Sequence, residues 1–226
     1  NRRTNTNLSQ FNNLIGFFGP RKDVYNGAGV TRIASKAGGS HIAATFGSGV
    51  NSPTYRIFSG VNLPCLSFTN SAINISFMSG LVNNGNYSVV SAHMPYSTNG
   101  LQTLVGAGNV LGDSITLNTA GNRVISGSYK YASTLNYIAG GDNYDGPCIF
   151  YHSNRTGVLN QYSNGSDHAS TTFNMGATNM SSVSIGALFT GSIVNNFNGG
   201  IHELVIYDRE LIVQNRSKLN IYLGKK

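Results

Sequence analysis

The chain closes on Phe197-Asn-Gly-Gly-Ile201, then His202-Glu-Leu-Val-Ile-Tyr-Asp208, then Arg209-Glu-Leu211, a further run, and Tyr222-Leu-Gly-Lys-Lys226. The glycine pair followed by alternating apolar and polar positions predicts a strand over 200–207. Beyond it, Leu211, Leu219, Tyr222 and Leu223 recur at helical spacing and predict one short helix. Upstream, short apolar runs bounded by Gly, Asn or Ser predict strands near 30–34, 42–46, 54–58, 64–68, 72–78, 86–92, 101–105, 114–118, 122–127, 134–139, 147–152, 156–162, 169–174 and 182–188. A chain of strands and turns that ends in strand and then helix is a narrow description of a fold.

Local chemistry supports individual boundaries. Asn83-Asn-Gly85 and Asn164-Gly165 favour hairpin connections, because Asn and Gly tolerate positive φ. In Ile73-Asn-Ile-Ser-Phe77 the odd positions are apolar and the even ones polar, which predicts one core-facing face. Many short strands at regular spacing suit a two-sheet sandwich. At 226 residues the chain falls within the range of a single all-β domain and should bury about 70% of its extended surface.

The ending is similar to the closing segment of concanavalin A-like, laminin-G-type jelly-roll modules of bacterial surface proteins and bacteriophage virion proteins. Three further stretches resemble the same family: Val30-Thr-Arg-Ile33 with Lys36-Ala-Gly-Gly39, Pro53 with Asn62-Leu-Pro-Cys-Leu-Ser-Phe68, and Tyr162-Ser-Asn-Gly165. In order they span about residues 23 to 223. The resemblance implies an all-β, two-sheet antiparallel jelly-roll sandwich over 23–226 with a short carboxyl-terminal helix. Residues 1–22 read as an amino-terminal arm or linker, whose apolar patch Leu14-Ile-Gly-Phe-Phe18 docks on the domain or on a neighbour.

The formal charge of +7 comes from 15 Lys and Arg against 8 Asp and Glu, scattered from Arg2 to Lys226. Nucleic-acid binding needs such charges gathered on one face, so it is not expected. Solvated termini or an acidic protein partner account for them. Cys65 and Cys148 stand among apolar neighbours; they read as buried thiols, with one bridge open to them if their strands adjoin. No apolar run reaches membrane-spanning length, and membrane insertion is not expected. Seven Asn-x-Ser/Thr sequons, at Asn7, Asn74, Asn86, Asn154, Asn164, Asn179 and Asn215, follow from the abundance of Asn.

The residues of chemistry are sparse. His41, His93, His152, His168 and His202 lack the spacing of a zinc site. The acidic group Glu203, Asp208 and Glu210 lacks the alternating pattern of hydrolases on related sandwiches, since positions five apart face opposite sides of a strand. Glu203 reads instead as a structural acceptor. Gly106-Ala-Gly-Asn-Val-Leu-Gly112 lacks the Gly-Lys-Ser/Thr ending of a phosphate loop and reads as a turn. No catalytic residue is assigned.

The candidate ligand loop is Gly140-Gly-Asp-Asn-Tyr-Asp-Gly146. Asp142 and Asp145, with Asn143, could offer hard oxygens to Ca²⁺, and Tyr144 could stack on a sugar ring whose hydroxyls bond Asp142, Asn143 and Asp145. Its alternative is a plain polar turn. Tyr129, Tyr131 and Tyr137 read as core packing or as a sheet-borne platform.

These features lead first to a non-enzymatic structural protein of a virion or extracellular assembly, a capsid decoration, fibre or tail component that contacts other copies or other structural proteins. The alternative is a carbohydrate-binding adhesion or host-recognition module at a cell surface. Fold-level analogy underlies both.

Overall fold

The computed structural model describes residues 14–18, 32–34, 42–44, 51–57, 62–75, 86–97, 100–108, 114–120, 123–129, 136–139, 147–155, 158–164, 166–172, 182–189 and 192–224. The strands run, in chain order, β1 (Leu14–Phe18), β2 (Arg32–Ala34), β3 (Ile42–Ala44), β4 (Thr54–Ile57), β5 (Pro64–Phe68), β6 (Ile73–Asn74), β7 (Asn86–Pro95), β8 (Leu101–Gly108) and β9 (Ser114–Ala120). They continue as β10 (Arg123–Tyr129), β11 (Asn136–Ala139), β12 (Cys148–Arg155), β13 (Val158–Ser163), β14 (Ser166–Thr172), β15 (Ser182–Ile185), β16 (Leu188–Phe189), β17 (Ile193–Val194) and β18 (Gly199–Tyr207). The helix α1 (Val213–Gly224) follows.

Two antiparallel sheets form a β-sandwich. One has the order β14-β13-β12-β7-β18-β5-β4, with β1 also paired to β18; the other has the order β11-β10-β9-β8-β15-β6-β3-β2. The chain repeatedly leaves one sheet for the other, as at β5 to β6, β7 to β8 and β11 to β12. That crossing is what closes a sandwich over one interior.

Register assigns each side chain to a face. In the first sheet Val89 opposes His152 and Ile206, and Ser91 opposes Phe150 and Leu204. Together with Leu66 and Phe68 these face the second sheet, where Leu104, Ile73 and Ile75 are fully buried. The pattern expected for residues 73–75 holds: Ile73 and Ile75 are buried and Asn74 is half-buried. At Gly186 a side-chain carbon would run into the Phe68 ring and lie 2.9 Å from the Ser71 carbonyl, so the sheets meet here at glycine distance.

The opposite face of the first sheet carries Val90, Ala92, Tyr151, Val205 and Tyr207, and α1 covers it with Leu219 and Leu223. Leu211 joins this cluster from the connection before α1. The helix is therefore a lid on a second small core, each buried leucine contributing about 1.5–3 kcal/mol. All nine residues of β18 are buried because helix and second sheet shield its two faces while strands flank both edges.

Observed strands follow most of the expected runs; the run 182–188 divides into β15 and β16, and β16 pairs with the unexpected β17 in a separate two-stranded sheet. Leu14–Phe18 is a strand, antiparallel to β18 with Leu14 opposite Tyr207 and Phe18 opposite Leu204. Gly106 and Gly108 belong to β8 and not to a turn. A side-chain carbon at Gly106 would approach Leu188 and Thr103 to 3.0 Å, so close packing explains the glycine better than chain reversal does.

The Asn164-Gly165 connection is a tight hairpin: Ser163 pairs with Ser166 and Asn164 has φ 47°. Asn62, Asn70 and Asn195 also hold positive φ, which gives part of the Asn abundance a backbone cause. Residues 83–85 lie outside the described residues, and the strands on either side of them, β6 and β7, sit in different sheets. No disulfide joins the buried Cys65 and Cys148.

Candidate functional site: a basic cleft beside the helix

The connection from β18 to α1 is fastened to the sheet by a chain of hydrogen bonds. Ser88 Oγ donates to the Arg209 carbonyl at 2.7 Å and therefore accepts from Tyr151 O–H at 2.9 Å; the Tyr151 oxygen in turn accepts from Leu211 N–H at 3.0 Å. Burial is the main cause that raises the Tyr151 pKa above its ordinary value, so the phenol stays protonated and this direction of donation holds.

That fixed connection forms one wall of a cleft of about 450 Å³, in the size range of small-ligand sites. Asn86 at the start of β7, Arg155 at the end of β12, Arg209, Glu210 and Arg216 supply its polar lining, with Val213 among the apolar residues. Glu210 accepts from Asn160 Nδ2 at 3.0 Å and lies 3.9 Å from Arg155. Arg209 sits 3.4 Å from Asp208. Both ion pairs are well exposed on the arginine side and contribute little to stability.

Arg216 is held differently. Its guanidinium lies 3.7 Å from the Tyr162 ring centroid and 5.6 Å from that of Tyr151, and those rings meet edge to face at 5.0 Å. Burial lowers its pKa from the ordinary arginine value, with Tyr151 acting in the opposite direction. One of its terminal nitrogens, Nη1, is buried with no hydrogen-bond acceptor. Arg216 and Val213 also line a second groove of about 220 Å³, whose walls include Ile149, Tyr162, Leu219 and Ile221. A polar, cationic cleft and an apolar groove thus share Val213 and Arg216 in their walls.

The carboxylates singled out in the sequence do not converge. Glu203 is buried within β18, its Oε1 4.0 Å from His202 Nε2, while His202 Nδ1 donates to the Pro64 carbonyl. Asp208 pairs with the adjacent Arg209, and only Glu210 reaches the cleft. His93 and His152 are buried in the sandwich interior, where burial pulls their pKa values down to about 3 and about 4. His152 Nε2 is 2.9 Å from Tyr87 Oη, and His93 Nδ1 is 3.0 Å from Ser91 Oγ.

The proposed ligand loop, Asp142, Asn143, Tyr144 and Asp145, lies outside the described residues, as does the proposed calcium set of Asp142 and Asp145. The side chains of Tyr129, Tyr131 and Tyr137 lie outside them as well. Among the described residues no group of His, Cys, Asp or Glu could hold a metal ion, and no helix is long and apolar enough to cross a membrane. The sequence reading missed Arg155, Tyr151 and Arg216. Only the Arg209-Glu210 pair before the helix hinted at polar groups there; what gathers the others is pairing between distant strands and the packing of α1 on the first sheet.

No protein-family model matches the chain, and no curated protein matches it significantly by sequence. The fold does match solved structures. Over 93% of this chain and 51% of the other, it superposes with a TM-score of 0.64 and 12% identity on botulinum neurotoxin type C, whose access to cells is dependent upon interaction with two ganglioside molecules. A sialidase of Trypanosoma rangeli matches over 92% of this chain and 32% of its own, with a TM-score of 0.63 and 15% identity. The CBM40 domain of the Ruminococcus gnavus IT-sialidase matches over 72% of this chain and 90% of its own, with a TM-score of 0.52 and 14% identity. The chain spans about half or less of the toxin and sialidase chains that it matches. At these identities what it shares with them is the fold.

Proposed function

We propose that this chain is a carbohydrate-binding module that acts without catalysis, outside the cell or at a cell surface, through the cleft beside α1. The observation that carries this is the cleft itself: amide, guanidinium and carboxylate groups beside an apolar, tyrosine-bearing groove suit a ligand with hydroxyls on one side and C–H surface on another. The sandwich fold lends support, since its likenesses include a ganglioside-dependent toxin and a CBM40 domain. Calcium enters only through Asp142 and Asp145, as a second contact region.

A glycan array probed with the whole chain, in calcium and again in EDTA, tests this. Saturable binding to a defined set of glycans is expected, and it should weaken when Asn86→Ala and Arg155→Ala are combined. Absence of saturable binding in both conditions would overturn the reading. Loss in EDTA alone, rescued by calcium, would move the contact to the Asp142–Asp145 loop. The virion assembly reading finds no support in the fold or in its likenesses. The amino-terminal patch it relied on pairs with β18 of the same chain.

A further inference from the structure

We infer that the ligand of the cleft beside α1 is an acidic glycan, its anionic group received by Arg216 with Arg155 and Arg209 on the rim. This rests on the glycan reading and narrows it. Three guanidinium groups line the cleft against a single lining carboxylate, Glu210, which is already engaged by Asn160 at 3.0 Å. Arg155 and Arg209 each have a carboxylate near them, but at 3.9 Å and 3.4 Å on an exposed surface. Arg216 has no carboxylate within ion-pair distance among the described residues.

The geometry of Arg216 favours an incoming anion. The cation–π contact, with the guanidinium carbon 3.7 Å from the Tyr162 centroid, holds the side chain over that ring before any ligand arrives. A guanidinium carries its N–H groups in its own plane, and Arg216 lines both the cleft and the groove. A cation short of acceptors at such a position gains from an anion more than from a neutral hydroxyl, because charge-assisted hydrogen bonds are about twice as strong. The groove lined by Ile149, Tyr162, Val213 and Ile221 then receives the apolar face of the adjoining sugar ring.

The test is titration calorimetry of the whole chain with a neutral oligosaccharide, its uronate-bearing counterpart and its sulfate-bearing counterpart, at low and high salt. Tighter binding of an acidic form by about 10-fold or more is expected, with the difference shrinking as salt rises. Preference for the uronate alone identifies a planar carboxylate, and equal preference for the sulfate identifies charge; both support the inference. Arg216→Gln should abolish the preference. Because Arg216 also packs, the exposed-rim double variant Arg155→Gln with Arg209→Gln provides a second measure and should reduce it severalfold. Equal affinity for neutral and acidic forms would overturn this inference and leave the glycan reading standing. No binding of any of the three would overturn both, and a preference unchanged in both variants would overturn the placement.

Discussion

Single side chains at two depths decide how this protein behaves. His93 and His152 are buried in the sandwich interior with pKa values near 3 and 4, against an ordinary value of 6.5. Between those limits the unfolded chain binds protons that the folded chain refuses. Stability is therefore complete above about pH 6.5 and falls as the solution is acidified, by up to about 1.4 kcal/mol per pH unit for each histidine. Urea melts taken from about pH 7 down to about pH 4 should show this slope, and His152→Gln should reduce it, leaving the part due to His93; a flat profile in the parent chain would contradict the burial. Nearer the surface, Tyr151→Phe removes the acceptor for Leu211 N–H and the donor to Ser88. A loss of about 1–3 kcal/mol in the same melts is expected, together with weaker glycan binding as the cleft wall loosens. Gly186→Ala should cost more than an ordinary surface change, at least about 2 kcal/mol, since its φ of 86° and the Phe68 ring both exclude a side-chain carbon.

At the scale of elements, α1 both covers the outer face of the first sheet and carries Arg216. Leu219 is buried in the cluster with Val90, Tyr151 and Val205, so Leu219→Ala should destabilise by about 2–5 kcal/mol. Hydrogen exchange should show the helix amides losing protection before those of β7 and β12, which pair along their whole shared length. Uniform loss across all three would mean that the helix and sheets open as one unit. The strands were legible because β-branched and apolar runs bounded by Asn and Gly signal locally. The Asn164-Gly165 hairpin followed directly from its turn chemistry. Leu14–Phe18 was legible as apolar, but its strand character depends on β18 offering an edge, which no local signal reveals.

For the whole molecule, β18 is the organising element. Its first residues pair with β5, its last with β1, and β7 runs along its other edge. Removal of residues 1–18 should expose the edge of β18 from Leu204 to Tyr207, lowering stability and promoting association at high concentration. Light scattering of the shortened chain checks this; a stable monomer would show that β1 is dispensable. The glycan reading also belongs to this scale, because Arg155, Arg209 and Arg216 come from a strand end, a connection and a helix. The sequence by itself determined the fold class, the closing strand and helix, and the faces of the strands, because period and turn residues are properties of neighbouring positions. Only the tertiary structure decided which strands share a sheet, that Leu14–Phe18 closes an edge, and that Arg155, Arg209 and Arg216 line one cleft. Those outcomes depend on pairing and packing between segments, and such energies are absent from any short stretch of chain.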